Sequence, residues 1–213
     1  MPHRSEFPSR DEVFGHLRAL VEGHGNRDAI ASWAERYMPD DQEVTDWPAW
    51  DALQALAGAD APTTDREWLY GQEDFEDWLA RLMSAVQGER GELLRRAGLI
   101  ALGTVDDVVA PAVAWERRRD GEIAEVVDIA VDAAWLRLAR ERGLSTADGE
   151  FLISTAGAAE QALPWARVRL GEWPRVAEVV EGRAFVAMAV DGARVCWVVP
   201  EDHGVTIRFA ARS

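Results

Sequence analysis

The spacing of apolar residues changes along this chain, from the helical period of about 3.6 to the strand period of about 2. In the first 86 positions apolar residues recur three and four apart, whereas in the last third they alternate with other residues. Helices in one part and antiparallel strands in another define the α+β class. We therefore predict a small N-terminal helical bundle, followed by an α+β part that ends in a four-stranded antiparallel β-meander.

Capping residues divide the first part into helices. Ser9 and Glu12 form a capping-box pattern, and Asp46 with Pro48 marks another helix start. Gly23 and Gly58 offer C-terminal stops. The four predicted helices begin after Ser9, after Asn26, after Asp46 and at about Gln72.

The segment QGERGE, residues 87–92, is polar and contains two glycines. Such a segment is typical of a linker. It predicts an acidic helical domain over residues 1–86 and an α+β domain with an antiparallel sheet over residues 93–213. A helix-to-helix turn within one domain is the alternative.

Turn dipeptides separate the predicted strands of the second part. Asp120-Gly121 between two apolar runs favours a hairpin over residues 108–131, although the second run also fits a helix. A helix is predicted over residues 133–142. Further on, X-Gly turns separate four runs, which predict the strands of the meander: 176–180, 183–190, 193–199 and 205–210.

Acidic residues are concentrated in the first part. The formal net charge of the chain is -15, and residues 1–85 carry eighteen acids against seven arginines. Between Glu35 and Trp78 there are thirteen acids and two arginines, together with four tryptophans and both tyrosines. Because phosphate contacts are made mainly by basic side chains, this charge predicts no nucleic-acid partner and no anionic membrane.

The same segment suggests a protein contact. Carboxylates steer basic partners, and exposed aromatic side chains anchor interfaces. We predict a non-enzymatic module, of inhibitor or immunity type, that binds a basic protein; its expected contact residues are Asp40, Asp41, Glu43, Trp47, Trp50 and Asp51. A solvated acidic loop is the simplest alternative for these residues.

Two other functions remain open. Trp165, Trp173 and Trp197, with Arg167 or Arg169, could line a pocket for a small molecule or a substrate in the second part. A structural accessory subunit is the other alternative. The common nucleotide-binding, hydrolase and metalloprotease motifs do not occur in the sequence, so we expect no cofactor and no metal.

The single cysteine and the N-terminus bear on the compartment. Cys196 excludes an intramolecular disulfide, and the surrounding apolar run predicts a core residue. The first residues contain no apolar stretch of the secretory type. These features predict a cytoplasmic protein.

Overall fold

A computed structural model describes residues 7–38, 44–127, 130–180 and 183–211. The chain forms two compact units, Met1–Val86 and Gln87–Ser213. The first unit is helical and the second combines helices with an antiparallel sheet, so the predicted α+β class is confirmed. That the two units fold independently stays a prediction.

Local capping accounts for the helix starts in the first unit. The helices are α1 (Arg10–Val21), α2 (Arg27–Glu35), α3 (Trp47–Ala57) and α4 (Gln72–Arg96). At α1 the backbone N–H of Ser9 donates to the Glu12 carboxylate over 2.9 Å, and the Glu12 N–H donates back to the Ser9 hydroxyl over 3.3 Å. Asn26 and Asp46 accept the corresponding N–H groups of α2 and α3. The predicted starts of all four helices are confirmed.

Helix α3 forms the centre of the first unit. It packs against both α1 and α2 and is the most apolar of these helices. The fully buried large side chains of the unit are Leu17, Leu53, Leu56, Phe75 and Leu82. Burial of each contributes about 1.5–3 kcal/mol of hydrophobic stabilisation.

Residues 87–92 are helical, because α4 continues through them to Arg96. The domain boundary predicted there stays a prediction. Gln, Glu and Arg are good helix formers, and each glycine costs a helix only about 1 kcal/mol. Arg90 is 6% exposed and donates a hydrogen bond to the Pro164 carbonyl over 2.8 Å. This anchored side chain holds the segment in helical form.

The second unit is built on one seven-stranded sheet. Its strands are β1 (Leu99–Val105), β2 (Glu122–Val127), β3 (Glu150–Thr155), β4 (Trp165–Leu170), β5 (Phe185–Met188), β6 (Arg194–Glu201) and β7 (Gly204–Ala211). Their order in the sheet is β1-β4-β3-β5-β6-β7-β2, and every neighbouring pair is antiparallel. Strands β1 and β2 are the two edges.

Helices cover the two faces of this sheet unequally. The second unit also contains α5 (Pro111–Glu116), a 3₁₀ helix (Arg117–Asp120), α6 (Val131–Glu141), α7 (Ala158–Gln161) and α8 (Ala177–Val180). The larger core cluster includes Trp135 and Leu138 from α6 and Val179 from α8. The smaller one, on the other face, includes Ala114 from α5 with Trp165 and Trp197 from the strands.

The predicted hairpin over residues 108–131 is wrong in its first half. Pro111 begins α5, where the missing N–H of proline costs no hydrogen bond. Trp115 packs against the smaller core cluster. The second half does form a strand, β2, but it pairs with β7.

The predicted meander is confirmed for three of its four strands, since β5, β6 and β7 are consecutive neighbours. Its first run forms helix α8 instead. Val176, Val179 and Val180 are buried at helical spacing. The N–H of Ala177 donates to the Asp132 carboxylate over 2.7 Å, and this tertiary contact favours a helix start.

No helix in the described ranges is long and apolar enough to cross a membrane.

Candidate functional site

The start of α3 presents an aromatic side chain to solvent. Trp47 is the first residue of α3 and is 67% exposed. Pro48 restrains the first turn, and Asp46 accepts the N–H of Ala49 over 3.1 Å. Asp46 also pairs with Arg10 over 2.8 Å. The backbone beneath Trp47 is therefore fixed while its indole stays available for contact.

The other predicted contact residues do not form one surface with Trp47. Trp50 is half-buried and lies 6.1 Å from the ring of Phe7. Asp51 is exposed one helical turn after Trp47, and its carboxylate lies 3.9 Å from the Arg81 guanidinium. Asp40, Asp41 and Glu43 lie outside the described residues.

Most other aromatic rings of the first unit pack internally. Phe75 is fully buried, and the rings of Tyr70 and Trp78 meet edge-on at 4.9 Å. Trp33 lies 4.1 Å from His16. Burial lowers the pKa of His16, so its ring favours the neutral form. Trp47 is thus the aromatic side chain of this unit that is most open to a ligand.

The arginines of the first unit differ in whether they pair with a carboxylate. Arg10, Arg18 and Arg81 each face a carboxylate. Within the described part of the unit, Arg36 and Arg66 are exposed and have no ion pair with an acid; each donates to a backbone carbonyl, of Trp33 and Leu69 respectively. Because no carboxylate neutralises these two exposed side chains, their charge is available to an anionic ligand.

The pocket predicted for the second unit is not assembled from the expected residues. Trp165 and Trp197 are buried in the smaller core cluster, whereas Trp173 is exposed. Arg167 pairs with Glu150 over 2.6 Å. A cavity of about 340 Å³ does lie beside α5, with Trp197 in its wall and Arg117 and Asp120 at its edge.

Cys196 is a core residue, as predicted. Burial raises the pKa of its thiol far above the usual range, so the reactive thiolate is suppressed.

Comparison with known proteins identifies similarity in the first unit. A family model described as "YxzC DNA-binding protein" matches residues 6–82. A protein from Bacillus subtilis (strain 168) called "Uncharacterized protein YxzC" is 30% identical over 69 residues, which cover 32% of this chain. The chain spans 57% of the length of that relative. No solved structure matches this chain.

The family match overturns the predicted function. We predicted an acidic protein-binding module of inhibitor or immunity type, with a basic protein partner and no nucleic acid. This prediction is wrong, because the matching family is described as DNA-binding. The prediction failed because it was based on the net charge of the domain. Charge summed over a domain governs its long-range field, while binding also depends on the few side chains at the contact.

Proposed function

We propose that the N-terminal helical unit of this protein binds DNA. The observation that carries the proposal is the match of residues 6–82 to a family described as DNA-binding. The matched range contains α1, α2, α3 and the first part of α4, which together supply the buried core of the unit. A cytoplasmic location is proposed with this function, because a cell's DNA lies inside its membrane.

The acidic composition limits how such a unit can hold DNA. Residues 1–85 carry eighteen acids against seven arginines, so long-range attraction to phosphate is absent. Arg36 and Arg66 are the exposed arginines left without an acidic partner in the described part of the unit. Two phosphate contacts predict a slope of log K against log salt of about −1.8 on duplex DNA and about −1.4 on a single strand.

Trp47 supplies the short-range contact. An exposed indole can stack on an unpaired base, and such stacking contributes about 1–3 kcal/mol per base. At 67% exposure, the side chain reaches a base without any rearrangement of α3. The capped start of α3 restrains the backbone of Trp47, which reduces the entropy lost on binding. Trp47, Arg36 and Arg66 are therefore the residues that we propose for contacts to DNA.

The test is a fluorescence-anisotropy titration of the full chain against labelled single-stranded and duplex DNA over a range of salt concentrations. We expect Trp47→Ala to weaken binding about tenfold, as the loss of one stacked base predicts. Trp47→Phe is the matched control and should retain most of the affinity. DNA binding that is undetectable even at low salt would contradict the proposal.

Replacing Asp51 should change the DNA affinity in the opposite direction. Its carboxylate lies one helical turn from Trp47 and faces Arg81. Asp51→Asn removes a negative charge near the DNA and frees Arg81, so affinity should rise about two- to threefold at low salt. A fall in DNA affinity would show that the contact is not at this end of α3.

A further inference from the structure

A second exposed tryptophan lies in the other unit. Trp173 is 78% exposed, the highest exposure among the large apolar side chains of the described residues. It lies in the loop between β4 and α8, with Pro174 directly after it. An exposed indole offers an apolar face and a polar N–H to a ligand.

The loop holds Trp173 in a fixed position. Gly171 N–H donates to the Gly98 carbonyl over 3.0 Å, and Arg175 N–H donates to the Ala97 carbonyl over 2.8 Å. Gly98 has φ +68°, and a Cβ there would lie 2.6 Å from the Trp173 carbonyl oxygen. The backbone on both sides of the indole is thus tied to the chain before β1. A restrained backbone reduces the entropy that the loop loses when a ligand binds.

Two arginines line the same concavity as this ring. A concavity of about 470 Å³ is lined by Leu136 and Arg140 of α6 together with residues 170–175 of the loop. Its lining contains two arginines, Arg140 and Arg175, against one acid, Glu172. Neither arginine pairs with a carboxylate among the residues that the structure describes. The site is therefore locally positive on a chain whose net charge is -15.

We infer that this concavity binds single-stranded DNA. A base stacks on Trp173, and neighbouring phosphates contact Arg140 and Arg175. An aromatic platform beside guanidinium groups is the usual arrangement for single-stranded nucleic acid. The choice of DNA as the ligand rests on the function proposed for the first unit, whereas the contact itself rests on side chains of the second unit. Each unit then has its own contact to a strand, at Trp47 and at Trp173.

Photo-cross-linking of the full chain tests this contact directly. The probe is an oligothymidine that carries 5-iododeoxyuridine, which forms cross-links to stacked aromatic side chains. The chain has no lysine, so trypsin releases Trp173 in the peptide of residues 170–175 and Trp47 in that of residues 37–66. We expect cross-links in both peptides. A cross-link confined to residues 37–66 would overturn the inference and leave the proposed function standing, and no cross-link to either peptide would count against both.

Variants add a quantitative readout. Trp173→Ala should weaken single-strand binding about tenfold, and Trp173→Phe should restore most of it. The double variant Arg140→Gln/Arg175→Gln should flatten the slope of log K against log salt by about 1.4. Arg137→Gln is the matched control, because Arg137 already pairs with Glu141 over 3.0 Å, and it should leave the slope unchanged. Equal slopes in the unmodified protein, the double variant and the Arg137→Gln control would overturn the proposed phosphate contacts.

A free nucleotide shares the chemistry of a strand, and competition separates the two. Thymidine monophosphate offers one base and one phosphate group, so it should displace the oligomer only at concentrations at least tenfold higher. Displacement at equal concentration would assign the concavity to nucleotides and overturn its assignment to a strand.

Discussion

At the scale of single residues, Arg27 joins several parts of the first unit. Its guanidinium donates to the carbonyls of Ala59 and Tyr70 over 2.9 and 2.8 Å. It also lies 5.0 Å from the centre of the Phe75 ring. One side chain from α2 thereby fixes the connection between α3 and α4.

Replacing Arg27 should therefore destabilise the first unit. Arg27→Met keeps the apolar stem and leaves two backbone carbonyls without their donor, a loss of about 2–3 kcal/mol in the free energy of unfolding. Chemical denaturation measures this change. Arg18→Met is the matched control, since Arg18 is exposed and pairs only with Glu22 one turn away in the same helix, which contributes about 0.5 kcal/mol. Equal losses in the two variants would refute the role of Arg27.

Cys196 supplies a second prediction at this scale. Its thiol is fully buried in strand β6, and burial raises its pKa. The folded protein should therefore react with a disulfide reagent such as 5,5′-dithiobis(2-nitrobenzoate) only as fast as it unfolds, whereas protein in denaturant should react at once. Rapid labelling of the native chain at neutral pH would contradict the buried position.

Sequence reasoning at the residue scale succeeded where a signal is local. Ser9, Asn26 and Asp46 cap their helices because each acts on an amide within three positions. It could not assign partners to arginines, since Arg27 meets Tyr70 across 43 positions. For the same reason Trp173 could not be separated from the buried Trp165 and Trp197, because burial follows from tertiary packing.

At the scale of elements, the segment of residues 87–92 shows how packing overrides composition. Two glycines in a polar run favour a linker, yet the segment is part of α4. Helices α5 and α8 differ from the predicted strands for a similar reason. Short apolar runs fit either structure, and contacts such as Ala177 with Asp132 decide the outcome.

Glycine replacement tests the helical form of this segment. Gly88 and Gly91 are exposed, and a Cβ on either would meet nothing within 4 Å. Gly88→Ala and Gly91→Ala should each raise the free energy of unfolding by about 0.5–1 kcal/mol, because alanine favours a helix. Gly143→Ala is the control: a Cβ there is equally unobstructed, but φ is +67°, so that variant should be destabilised. A loss of stability in the first two variants would contradict a helix at residues 87–92.

At the scale of the whole molecule, the two periods of the sequence predicted the α+β class correctly. Charge was the less informative signal. The excess of acids predicted a basic protein partner, while residues 6–82 match a family described as DNA-binding. The number of arginines is a poor guide to phosphate binding, because an arginine in an ion pair, such as Arg10 with Asp46, is not available to phosphate. With few unpaired arginines and two exposed tryptophans, the DNA contact that we propose depends on stacking.

Hydrogen–deuterium exchange of the full chain, with and without saturating single-stranded DNA, tests the central claim most directly. DNA binding by the first unit predicts slower amide exchange within residues 7–38 and 44–82, with the strongest protection around Trp47 at the start of α3. Strands β3 and β5, in the interior of the sheet, should exchange at unchanged rates. Bound DNA that leaves exchange throughout residues 7–82 unaltered would contradict the claim.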